Sequence, residues 1–125
     1  MTPNTTARNQ SLFMAMELSN KNWKLGFSNG EKIRLVNVVA GHLNGMQSAI
    51  ARSKEKLGLS AKCPVYACYE AGRDGFWIHR CLSAMGVQNL VVDPASIEIN
   101  RRKRHVKTDR LDAEKLVRML MRYWL

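Results

Sequence analysis

Residues 12–18 read LFMAMEL, apolar on both faces of a pleat except for a single glutamate, Glu17. Such a segment fits a central strand with a packed layer above it and another below. The rest of the chain must therefore supply cover for two sides. A polar turn, SNKN, leads into Trp23–Phe27, which alternates with period two, and Asn29-Gly30 then signals a hairpin into EKIRLVNVV. These three strands read as an antiparallel meander. After Gly41 the period changes, with Leu43, Met46, Ile50 and Leu57 on one helical face and Gly58 placed to end the helix. PVYACYE follows as a short buried strand. A second helix is expected from about Arg73 to Met85, with Ile78, Cys81, Leu82 and Met85 as its stripe and Gly86 as its stop. QNLVVD is a fifth strand, and a last helix is expected from near Thr108. The class is α/β, in the order βββαβαβα.

With 125 residues the chain has room for one domain. Twenty Lys and Arg stand against ten Asp and Glu, a net charge of +10, which makes nucleic acid the leading partner and an anionic membrane surface a distant second. Cys63, Cys68 and Cys81 are an odd number without paired zinc-ligand spacing, so they read as small buried residues of a cytosolic protein. No segment has the apolar core of a signal peptide or the length of a membrane span, and residues 1–11 read as a disordered tail.

Against this basic background four acids are conspicuous. An ionised Glu17 in an apolar strand costs several kcal/mol unless something compensates it. Hard oxygen ligands suit magnesium or manganese; the competing reading of Glu17 is a salt bridge to Lys21 or Lys24, or exposure at the strand end. Glu70 closes its strand at the carboxyl end, where open α/β sheets build sites. Gly72 and Gly75 beside it either admit a ligand to the backbone or simply turn the chain. Asp109 and Asp112 extend the stripe of Ala113, Leu116, Val117, Leu120 and Trp124, which directs them towards the packed side of the last helix. Capping of the helix at its N-cap and N3 positions is the competing role for this pair. Arg110, Glu114 and Arg118 occupy the opposite face.

The basic run Arg101, Arg102, Lys103, Arg104, His105 and Lys107 lies just ahead of Asp109. With Arg110, it suits phosphate contacts next to the acids, although charge runs are commonly solvated loops. His105 reads as a proton carrier or as one more phosphate contact. Trp23, Trp77, Tyr69 and Phe76 are spaced as core or site-rim residues and form no platform for single strands.

At AMELSNKNWKLGF, YEAGRDGFWIHRCLSAMG and HVKTDRLDAEKL the chain resembles the amino-terminal DEDD domain of insertion-sequence transposases, of the IS-one-ten, bridge-RNA type. The resemblance covers about residues 12–121, and the last motif is the most specific. It implies a ribonuclease H-like (RuvC-like) fold with a mixed five-stranded sheet over residues 12–125. It also implies Mg2+- or Mn2+-dependent cutting and joining of DNA during transposition, with two ions held by Glu17, Glu70, Asp109 and Asp112. DNA, a guide RNA from the element and further copies of the chain are the implied partners, in a bacterial cytoplasm. Two departures stand out: Glu17 occupies a position where the family more often has Asp, and the carboxy-terminal domain with its nucleophilic serine is absent. The apolar end of the last helix, Met121 to Leu125, then wants a partner such as another copy. Two rivals are a resolvase cleaving Holliday junctions, and a non-catalytic module for nucleic-acid binding or dimerisation.

Overall fold

The computed structural model of the chain describes residues 10–72, 76–92 and 112–124. The elements are β1 (Leu12–Leu18), β2 (Asn22–Ser28), β3 (Ile33–Val39), α1 (Leu43–Lys56), β4 (Val65–Glu70), α2 (Trp77–Ala84), β5 (Gln88–Val92) and α3 (Ala113–Trp124). The five strands form one sheet in the order β3-β2-β1-β4-β5. β1 pairs antiparallel with β2 and parallel with β4; β2 pairs antiparallel with β3, and β4 parallel with β5. The architecture is mixed α/β and compatible with a ribonuclease H-like fold.

β1 is the central strand, as its composition requires. Leu12, Met14, Met16 and Leu18 point to one side, where Trp23, Leu25, Phe27, Ala67 and Tyr69 meet Met46 and Ile50 of α1 and Ile78 and Leu82 of α2. Phe13 and Ala15 point to the other side and pack with Cys68 against Leu116, Val117 and Leu120 of α3. Each of these fully buried aliphatic side chains contributes roughly 1.5–3 kcal/mol, so α3 is held to the sheet mainly by its apolar stripe.

The punctuation is local chemistry. Gly30 has φ +104° in the β2–β3 connection, and the Asn29 Oδ1 accepts hydrogen bonds from the amides of Glu31 and Lys32 at 2.9 and 3.0 Å. The hairpin therefore carries four loop residues, 29–32, rather than a two-residue turn. Gly58 and Gly86 take φ +71° and +84° where α1 and α2 stop.

Several expectations shift. α2 is described from Trp77, and residues 73–75, with Gly75, lie outside the described part. α3 begins at Ala113, so Asp112 precedes the helix instead of lying in its first turn. Trp124 was expected in the buried stripe, yet it is 42% exposed, with its ring 4.6 Å from that of Tyr66. The tail at 1–9 and everything from 93 to 111 also lie outside the described residues. Cys63 and Cys68 are buried free thiols and Cys81 is half-buried. Among the described residues no helix is long and apolar enough to cross a membrane.

Candidate active site at the carboxyl end of the central strands

The sheet register brings two of the four acids together. β1 and β4 run parallel with Leu12 beside Val65 and Met16 beside Tyr69. The next step along this register sets Glu17 beside Glu70, on strands about 4.8 Å apart. Both fall in the same pleat phase as Ala15 and Cys68, the side covered by α3. Glu17 is partly buried, and Glu70 is only 7% exposed. Across the sheet the same row continues through Lys24, paired with Glu17, to Asn37, paired with Lys24.

The start of α3 closes over this row. The Ala113 amide donates to the Glu17 Oε1 at 3.2 Å, so a carboxylate from the central strand accepts one of the amides that every helix start leaves without an internal partner. The negative charge also lies at the positive end of the helix dipole. Gly26 permits the approach: a Cβ there would lie 2.7 Å from the Ala113 carbonyl oxygen and 3.1 Å from its carbon. Glu17, whose rival roles were an ion pair with Lys21 or Lys24 or exposure at the strand end, is partly buried and accepts from the helix start.

Asp112 differs from its expectation. It is exposed, and its Oδ1 accepts from the Lys115 amide at 2.9 Å, the geometry of an N-cap. Being outside the helix, it is not held on the packed stripe, and the capping bond turns it towards solvent. Asp109 lies outside the described residues, as do Arg101, Arg102, Lys103, Arg104, His105, Lys107 and Arg110. Among the described residues no three or more His, Cys, Asp and Glu side chains are grouped as a metal site.

The donor set is nonetheless the kind a hard divalent cation takes. Glu17 and Asp112 each spend one carboxylate oxygen on a backbone amide, which leaves the second oxygen of each for a ligand. Composition and spacing alone missed two parts of this site. One is the close approach at Gly26, whose signal was a glycine inside a strand. The other is the link from Glu17 to α3, which needs the three-dimensional path of the helix.

No family model matches the chain. It is 41% identical over 118 residues to the protein named as transposase y4rJ of Sinorhizobium fredii, a match covering 90% of this chain and 30% of that protein. It is 40% identical over 60 residues to the transposase for insertion sequence element IS1533 of Leptospira borgpetersenii, 48% of this chain and 17% of that one. A second Sinorhizobium fredii protein named as a transposase, y4qE, is 43% identical over 56 residues, 45% of this chain and 14% of its own length. The chain is thus similar through most of its length to a part of one protein named as a transposase and through less than half of its length to two more, and spans less than a third of the first.

Proposed function

We propose that this chain is the acidic, metal-binding part of a DNA transposase, acting on phosphodiester bonds during movement of an insertion sequence. The observation that supports the reading is the parallel register of β1 and β4, whose next step after Met16 and Tyr69 is Glu17 and Glu70, together with the bond from the start of α3 to Glu17. Two adjacent carboxylates repel one another, and a divalent cation between them converts that repulsion into attraction. Asp112 lies one residue from the amide that Glu17 holds, and Asp109 is three residues before it in sequence. Glu17, Glu70, Asp109 and Asp112 would hold Mg2+ or Mn2+. When bound, such ions polarise the scissile phosphate and activate the attacking oxygen.

What the chain's own residues do is simpler. Glu17 ties α3 to β1, Asp112 caps α3, and Gly26 lets the helix sit close enough for both. The basic segment from Arg101 to Arg110 grips neighbouring phosphates in this reading. The similarity to proteins named as transposases supports DNA as the substrate. A guide RNA and assembly from several copies belong to the same reading and rest on the family resemblance.

Calorimetric titration with Mn2+, with and without DNA, tests the proposal. Saturable binding that is lost in Glu17→Gln/Glu70→Gln and in Asp109→Asn/Asp112→Asn supports it. The rival is a non-catalytic nucleic-acid module that binds through the net charge of +10 alone. Salt-sensitive DNA binding with no saturable metal binding in either titration would select that rival.

A further inference from the structure

The row that holds the two acids does not end with them. Followed across the sheet, with Glu17 set beside Glu70 by the continued register of β1 and β4, it reads Val92, Glu70, Glu17, Lys24, Asn37. Lys24 is the cation of this row. Directly opposed residues of an antiparallel pair share a face and have Cβ atoms about 4.5–5.5 Å apart, so Lys24 is next to Glu17 on the side covered by α3. Gly26, two residues along β2 on the same face, is where the Ala113 backbone meets the sheet. Lys24 is thus about 7 Å along the strand from that contact.

The ordinary role of such a neighbour is a cross-strand ion pair. Here the Glu17 Oε1 accepts from the Ala113 amide, and among the described residues no ion pair joins Glu17 to Lys24. The lysine is the longer of the two side chains, a point charge with three donors on a flexible four-carbon stem. Its charge sets a condition on the acids. A divalent ion held by Glu17 and Glu70 is repelled by an ammonium one strand away. An anion that touches both cations removes the conflict, and a backbone phosphate is the anion that the proposed function brings.

We propose that Lys24 is a phosphate-binding residue of this site, its ammonium donating to a non-bridging oxygen of the phosphate that Glu17 and Glu70 address through a divalent ion. The inference rests on the reading of those acids as a metal site, and it names a residue that positions the substrate there. A lysine suits the task, since it holds a phosphate as a point charge without fixing the planar, two-pronged geometry that an arginine imposes.

The test uses the full chain and its variants Lys24→Gln, Lys24→Arg and Lys62→Gln. Lys62 is an exposed lysine ahead of β4, at the opposite end of that strand from Glu70. Calorimetry gives the Mn2+ affinity without DNA, and anisotropy gives the affinity for a labelled duplex in Mn2+ and in chelator. Lys24→Gln should bind Mn2+ about 2- to 5-fold more tightly, because a repelling charge is gone. In Mn2+ the same variant should bind the duplex about 3- to 10-fold more weakly, with a salt dependence lower by about one phosphate. In chelator that loss should shrink to less than about twofold, since the acids then repel the phosphate. Lys24→Arg, which keeps the charge, should stay within about threefold of wild type. A Lys24 that only supported the fold would weaken both affinities when replaced, so the opposite signs are the signature of the contact. Weakening of both overturns the proposal, as does a duplex loss in Mn2+ no larger than that of Lys62→Gln. An equal loss in Mn2+ and in chelator makes Lys24 a general backbone contact and overturns it too. None of these results touches the metal reading while wild type takes up Mn2+ saturably. Absence of that uptake, with DNA present as well as absent, overturns the metal reading and the proposal together.

Discussion

Glu17 does two jobs that separate under substitution. Its carboxylate accepts from the Ala113 amide and places negative charge at the start of α3. Glu17→Gln keeps an oxygen acceptor and removes the charge, so the loss of stability should stay near 0.3–1 kcal/mol, the range for a charge at a helix terminus. Glu17→Ala strands a partly buried amide, at a cost of about 1–3 kcal/mol. Urea unfolding of the two variants measures the difference. Equal costs would show that the Ala113 contact contributes nothing. Cys68 gives a pH-dependent counterpart. Burial pushes its thiol up from 9.0 to about 12, so the folded state keeps the proton longer than the unfolded chain does. Its contribution is complete below pH 9 and declines as pH rises from 9 towards 12. Urea midpoints of wild type should fall across that window, and those of Cys68→Ala, compared with their own value at pH 8, should fall less.

At the scale of the element, α3 is the piece whose placement decides the site, and Gly26 is the point on which it rests. A methyl group at Gly26 would meet backbone atoms of Ala113 rather than a side chain able to rotate away. Gly26→Ala should therefore cost about 1–3 kcal/mol and lift the helix start from Glu17, weakening any Mn2+ binding with it. Unfolding and metal titration on the same variant check both parts. Most elements were legible before the structure because each has a strong local cause. LFMAMEL can only be central, Asn29-Gly30 turns the chain, and Gly58 and Gly86 stop helices in the left-handed region. The start of α3 was not legible. The apolar stripe continues smoothly backwards through Asp112 and Asp109, and periodicity does not reveal that the Asp112 side chain caps the helix instead of joining it. The partial exposure of Trp124 was also hidden, because periodicity reports a face of the helix without reporting how well each residue on it is covered.

The whole molecule sets basic surface against a small acidic row, and that opposition has a sign that experiment can read. A candidate site made of Glu17 from β1 and Glu70 from β4 was legible as residue types. Their adjacency comes from a parallel register between strands 53 residues apart, which no local pattern encodes. Without a divalent ion, these carboxylates repel the phosphates that the surrounding lysines and arginines attract. Glu17→Gln/Glu70→Gln should then bind DNA more tightly than wild type in the presence of a chelator, by about 3- to 10-fold for two charges at partly screened range. Adding Mn2+ at constant ionic strength should raise the affinity of wild type and leave the double variant unchanged, so that the order of the two narrows or reverses. Fluorescence anisotropy with a labelled duplex measures all four affinities. If Mn2+ affects both proteins alike, the metal is acting on DNA and not on the row of acids, and the basic surface alone accounts for binding.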